Sequence, residues 1–433
     1  MRWRNWSGLE SSYPDVIVHP GDTGSVVAAV DRARTDGTTL KMVGTGHSFT
    51  AIGTPGHTML RPDRLSGIVA VDRHAMTVTA LAGTPLHVLN TALERLGLSL
   101  HNMGDIADQT LAGAISTGTH GTGGVAAGLS AQVAGLELVT GTGDVLTATP
   151  EGNAEVLDLA RVGLGALGVL TTITFRVEPL FLLEAHEQPM TWDGALASFD
   201  ELASANHHFD MYWFPHTDRV LAKQNNRLDA PLDEAEPLAR TRAWFDDELL
   251  ANRVFGLLCA GSNRAPGVIP RMNRMTSRLL TERQYSDVAH RVFTSPRRVV
   301  FKEMEYAVPR AAGLDALREA RRAIEASDWR ISFPVEVRVA PADDVPLSTA
   351  CQRDTVYLAF HTHRDAEHTG YFAAMERIMR AHDGRPHWGK LHSLGASELA
   401  ETYPRFGEFL ALRDRLDPDR VFANDHLRRL LGD

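Results

Sequence analysis

The sequence predicts an α+β fold built from more than one domain, and three observations predict it. Strand-like and helix-like segments mix over the first 180 residues without settling into a strict strand–helix alternation. Near residue 180 the character changes, and aromatics and histidines gather in NHHFDMYWFPH, residues 206–216. The chain also has 433 residues, more than one hydrophobic core organises. Apolar residues make up 43% and charged residues 23%, the balance of a soluble globular chain with ample core material.

The elements follow in order. DVIVHP (15–20) reads as a strand, and residues 25–36 read as a helix stopped by Gly37. LKMVG (40–44) is a strand that runs into a glycine-rich loop. VAVD (69–72) and MTVTA (76–80) are strands around a polar turn, and residues 85–95 form a helix with Pro85 in its first turn. LELVT (136–140) and DVLTA (144–148) flank GTG as a hairpin, and GVLTTITFRV (168–177) is a long strand. Farther on, the pattern predicts helices over 312–327 and 370–382 and strands over 331–340 and 355–361. The charged stretch 219–251 reads as irregular.

A net charge of −10 argues against nucleic acid as a partner, because a phosphate backbone repels it. The two cysteines, Cys259 and Cys351, lack CxxC spacing, which excludes a disulfide framework and a cysteine-rich zinc site. They read as unlinked thiols in a reducing compartment. The opening MRWRNWSGLESSYP lacks the apolar core of a signal peptide. The most apolar later stretch, 162–173, carries three glycines and is too short to span a bilayer. The expected placement is cytoplasmic, with peripheral attachment to a membrane as the second choice.

Glycine carries the first chemical signal. GTGHS (44–48), LAGAISTGTHGTGG (111–124) and GLGALG (163–168) are three glycine-rich loops, two of them with hydroxyl side chains. One such loop is a turn or an anion cradle; three together fit a large phosphate-bearing cofactor. Neither the Walker A pattern nor the dinucleotide fingerprint is matched.

In FPVEVRV (333–339), alternation puts Phe333, Val335, Val337 and Val339 on one face and Glu336 with Arg338 on the other. That pair is either a salt bridge on a solvated face or a charged pair beneath a cavity. In RPHWGK (385–390), Lys390 lies behind Trp-Gly, where desolvation would lower its pKa toward base chemistry; the plain alternative is a surface turn. The 19 histidines invite a metal, but 206–208 lacks HExxH spacing, and His361 and His363 share a strand face with no acidic partner nearby. No metal site is expected.

In their order along the chain, VGTGHSF, STGTHGTG, GALG, ExR and HWGK resemble the flavin-linked sugar-lactone and alditol oxidoreductases of the vanillyl-alcohol-oxidase superfamily. FKEMEYAVPR, FPVEVR and LDPDRVFAN look closest to its bacterial L-gulono-1,4-lactone dehydrogenase and oxidase branch. The resemblance covers essentially the whole chain. It implies an FAD-binding domain at 1–180, an inserted α+β substrate (cap) domain at 181–399 and a C-terminal return at 400–433.

It further implies FAD linked covalently through His47. Gly44, Thr45, Gly46, Ser48, Thr110, Gly113, Ser116, Thr117, Gly118 and Thr119 would cradle the pyrophosphate, with Val169 near the adenine end. A sugar C–H hydride would pass to flavin N5. Lys390 would polarise or deprotonate the hydroxyl, Arg338 would stabilise negative charge, and Glu336 would bind a substrate hydroxyl and hold Arg338. His361 and Asp105 would line the same pocket, and Gly104 would leave oxygen a path. Asp105 stands where the alditol branch has serine, which favours a lactone substrate. The electrons would go to oxygen or another acceptor. The alternatives are an alditol oxidase producing hydrogen peroxide and, from another class, a non-catalytic flavin- or sugar-binding protein.

Overall fold

Three short strands open the fold: β1 (Val16–Val18), β2 (Leu40–Met42) and β3 (Thr58–Leu60), parallel in the order β1-β3-β2. The crossover that parallel pairing requires is helix α1 (Thr23–Thr35). The Asp22 carboxylate accepts from the Ser25 amide and starts it, and Gly37, at φ +63°, lies just beyond its end. Its apolar stripe, Val26, Ala29, Val30 and Ala33, packs with Leu40 and Leu60. This computed structural model describes residues 1–123, 128–238, 261, 265–295 and 299–432. Cys259 and the part of the 219–251 stretch beyond 238 lie outside the described residues.

A five-stranded antiparallel sheet follows, made of β4 (Ile68–Asp72), β5 (Thr77–Leu81), β6 (Val133–Val139), β7 (Val145–Ala148) and β8 (Val169–Arg176). Its order is β7-β6-β8-β5-β4, so both expected hairpins are adjacent pairs. Helix α2 (Leu86–Arg95) buries Leu86, Leu89 and Leu93 in the same core.

The second half is organised by one eight-stranded antiparallel sheet. Its strands are β9 (Leu182–Thr191), β10 (His208–Trp213), β11 (Arg219–Leu228), β12 (Arg283–Val288), β13 (Phe301–Pro309), β14 (Val335–Ala340), β15 (Thr355–His363) and β16 (Arg385–Pro386). The order is β12-β9-β11-β10-β14-β15-β13-β16. Helices α3 (Gly313–Glu325) and α4 (Thr369–Ala381) pack on β15 and β13.

Two expectations need correction. Residues 219–228 are a central strand rather than irregular chain, with Val220 and Ala222 fully buried. The strand expected over 331–340 begins at Val335, so Phe333 lies before the alternation starts and packs instead with Phe49 and Phe301.

Residues past 395 form three helices, α5 (Ala396–Thr402), α6 (Phe406–Leu416) and α7 (Asp425–Leu431), and they return to the first half. The Leu40 amide donates to the Val421 carbonyl, the Gly141 amide to Leu416, and the Asn424 side chain to the carbonyls of Ala51, Ile52 and Thr54. Among the described residues no helix is long and apolar enough to cross a membrane.

Candidate active site

The loop after β2 is held from two sides. Its Gly46 carbonyl accepts from the Trp6 amide at 2.8 Å, and its Ser48 carbonyl accepts from the Asn5 side chain at 2.9 Å. From the far end of the chain, the Gly389 carbonyl accepts from the Phe49 amide at 2.7 Å. Gly46 takes φ +73°, a conformation that glycine adopts without strain. The His47 ring lies 5.6 Å from the Trp6 ring, nearly parallel to it. Burial pulls its pKa below the ordinary histidine value, with Asp108 opposing and Lys390 reinforcing the shift, so the ring is held neutral.

This loop forms one wall of an open cleft. Gly44, Thr45, Gly46, His47, Ser48, Thr110, Gly113, Ser116 and Thr117 all line it, as the sequence predicts. No carboxylate does; its ionisable side chains are Lys41 and His47. Backbone amides and hydroxyls around a space that no carboxylate lines among the described residues suit an anionic pyrophosphate. Gly44 lets the loop pass close to Thr110, since a Cβ there would run into the Thr110 hydroxyl. The residues present therefore fit FAD.

Two predicted cofactor residues lie off the cleft wall. The Val169 side chain packs in the core with Val26 and Leu40, and it is its neighbours Gly168 and Leu170 that reach the cleft. Gly118 lies at neither cavity wall; at φ +73° it turns the backbone against Val162.

A second cavity of about 580 Å³ continues from the first through His47, Ser48, Gln109 and Thr117. Gly104, Asp105, Thr119, Arg338 and Lys390 line it, again as predicted, together with His120, Glu305 and His387, to which the sequence reading gave no role. Glu336 and His361 stand behind the wall rather than on it. Alternation along β14 turns Glu336 and Arg338 to this side, while Val335 and Val337 enter the core. The pair is buried, not solvated: Arg338 donates to Glu336 at 2.6 Å and lies 3.6 Å from Asp105. Burial opposes the charge on Arg338, but Glu336 and Asp105 outweigh it and hold its pKa well above the ordinary value.

Lys390 contradicts the sequence expectation of a depressed pKa. Burial would lower it, but Glu303 and Glu305 outweigh burial and raise it, and Lys390 donates to Glu303 in a close ion pair. His361 has the acidic partner that its sequence neighbourhood lacks: Glu303 is its cross-strand partner, with its carboxylate 3.5 Å from the ring. Glu305, next on the same face of β13, meets His120 Nε2 at 2.5 Å, while His120 Nδ1 meets the Gly121 carbonyl at 2.9 Å. Both ring nitrogens of His120 thus face acceptors. Burial takes His387 down to about 3, and its Nδ1 accepts from the Gly389 amide, so its proton sits on Nε2. A Cβ at Gly104 would press on the His120 carbonyl at 3.1 Å and the Thr119 methyl at 3.2 Å.

The missed carboxylates had a legible signal. Glu303 and Glu305 stand two apart in the FKEMEY segment, so on a strand they share a face. Among the described residues, no group of three or more His, Cys, Asp or Glu side chains is placed to hold a metal ion.

A family model described as D-arabinono-1,4-lactone oxidase matches residues 173–430, and one described as FAD binding domain matches residues 14–149. L-gulono-1,4-lactone dehydrogenase of Mycobacterium tuberculosis (strain ATCC 25618 / H37Rv) is 39% identical over 432 residues, 99% of each chain. L-gulonolactone oxidase of Bos taurus is 31% identical over 437 residues, 99% of this chain and 98% of that one. The crystal structure of cholesterol oxidase from B. sterolicum superposes with a TM-score of 0.86 over 99% of this chain and 96% of that one, at 18% identity, a likeness of fold alone.

Proposed function

The chain belongs to the D-arabinono-1,4-lactone oxidase family, and from that membership we propose that it oxidises a sugar-1,4-lactone of the L-gulono, L-galactono or D-arabinono type with FAD. One observation carries the reading: a carboxylate-free, hydroxyl-lined cleft opens directly into a pocket walled by Asp105, Arg338 and Lys390. FAD, when bound, supplies the acceptor for the hydride that leaves the substrate carbon.

The chain's own residues do the rest. The amides of 44–48 and the hydroxyls of Thr110, Ser116 and Thr117 bind the pyrophosphate. His47, held neutral against Trp6, is the covalent anchor, because only an imidazole with a free lone pair can bond to carbon. Residues 1–180 and 400–433 hold the cofactor and 181–399 cover it. Lys390, held as an ammonium by Glu303, donates to the reacting hydroxyl oxygen and stabilises the negative charge that builds there as the hydroxyl proton leaves to solvent. Arg338 supplies fixed positive charge at the wall, a preorganised stabiliser. Asp105, beside Arg338, takes a ring hydroxyl and favours lactones over alditols. Gly104, with no side chain, admits oxygen as the final electron acceptor.

Anaerobic mixing with L-gulono-1,4-lactone is expected to bleach the flavin absorbance, and xylitol and sorbitol are not. Admitting air should then restore the absorbance. A flavin that no lactone bleaches would overturn the reading.

A further inference from the structure

Behind the pocket wall, Tyr212 presents one hydroxyl proton to two carboxylates. Its oxygen lies 2.8 Å from Asp210 Oδ2 and 2.8 Å from Glu336 Oε1. Both carboxyl groups are buried, with Asp210 at 5% exposure and Glu336 at 7%. The three side chains share a sheet face, because Tyr212 is the register partner of Glu336 and Asp210 that of Arg338. One hydroxyl proton cannot serve two anions at hydrogen-bond distance without a second proton or a large repulsion. A second proton shared in the triad relieves that repulsion, and the close ion pair of Glu336 with Arg338 leaves it on the other carboxyl group.

Asp210 is that group. Burial raises its pKa to about 6 against the pull of Lys223 and Arg338, with Glu336 adding to the rise. Glu336 meets Arg338 at 2.6 Å, closer than Asp105 does at 3.6 Å. The groups facing Asp210 are Tyr212 on its own strand, Arg338 and Glu336 on β14, and Lys223 on β11. Lys223 is shared in turn with Glu187, which Arg283 pairs, so an alternating row of charge crosses the sheet from β12 to the pocket.

We propose that Tyr212 and Asp210 are positioning residues that share a proton with Glu336 and so set the net negative charge around the Arg338 it holds at the pocket wall. With Asp210 protonated, Asp210 donates to the Tyr212 oxygen, Tyr212 donates to Glu336, and Glu336 remains the anion bound to Arg338. Transfer along the chain moves the Tyr212 proton to Glu336 and the Asp210 proton to Tyr212, so no proton is gained or lost. When Asp210 ionises to solvent, Arg338 faces a further anion beside Glu336 and Asp105, and the positive field at the wall weakens. The consequence for catalysis rests on the lactone-oxidising function proposed above; the shared proton does not.

Two measurements on the holoenzyme test it. Infrared difference spectra across pH, recorded in an Asp343→Asn background because burial raises Asp343 to the same value, should show a buried carboxylic acid ionising near pH 6. That band should vanish in Asp210→Asn and persist to higher pH in Tyr212→Phe, where the bridge between the carboxylates is lost. In parallel, kcat/KM for L-gulono-1,4-lactone should step down as pH rises through the same range in the wild type, and the step should be absent in Asp210→Asn. No such band, or one that survives Asp210→Asn, overturns the shared proton. A catalytic step unchanged in Asp210→Asn overturns its link to Arg338. Failure to oxidise any lactone would sink the proposed function and leave the infrared result standing.

Discussion

Lys390 keeps its charge because Glu303 faces it, and that moves its role from free base to charged hydrogen-bond donor. Lys390→Met is expected to slow anaerobic flavin reduction by substrate by ~10²–10⁴-fold, the usual worth of a positioned acid-base group, with FAD content unchanged. Stopped-flow absorbance reads this directly. Unaltered reduction kinetics would remove Lys390 from the chemistry. His47→Ala should let acid precipitation release the flavin into the supernatant, whereas the wild-type pellet stays yellow. At this scale the sequence was legible where the signal was contiguous: Gly44 to Ser48 announce a cradle by composition alone. It was silent where partners meet from afar. Lys390 and Glu303 lie 87 positions apart, and His120 and Glu305 lie 185 apart. Lys390 read without Glu303 therefore looked like a desolvated amine.

The loop after β2 and the turn at Thr110 fit only because Gly44 lacks a side chain. Gly44→Ala forces a contact with the Thr110 hydroxyl, and overpacking of this kind costs about 1–3 kcal/mol. Its expected outcome is a lower unfolding midpoint and reduced FAD occupancy, both measurable by flavin fluorescence during thermal unfolding. Adding Thr110→Ala should recover most of the loss by clearing the contact, although it also removes the hydroxyl that caps residues 111–116. If Gly44→Ala costs as much stability in a Thr110→Ala background as in the wild type, the steric account is wrong. Elements with clean periodicity were readable from sequence, as α1 and the two hairpins show. The strand β11 was not, because RVLAKQNNRL shows a polar majority while its buried partners for Lys223 and Asn225 come from other strands.

The whole molecule buries neutral histidines that acid will charge in the unfolded chain first. Burial depresses both His387 and His392 from 6.5 to about 3, and neither ring nitrogen of His392 has a hydrogen-bond partner. Between those two values the unfolded state binds the proton and the folded state does not. Stability is therefore full above the ordinary histidine value and falls as pH drops toward the folded one. From pH 6.5 to 5 each such ring costs roughly 2 kcal/mol. Urea unfolding at pH 7 and pH 5 should show the drop, and His392→Leu should shrink it by about one ring's share; a wild type equally stable at both would contradict this.

The ties between residues 40–54 and 416–424 carry a consequence for biosynthesis. Leu40 leans on Val421, Lys41 donates to the Phe422 carbonyl, and Asn424 closes over Ala51, Ile52 and Thr54. The first part of the cradle to leave the ribosome thus waits for almost the last part before it can set. Flavin capture then waits for residues 416–424, and a nascent chain stalled before residue 416 would emerge colourless.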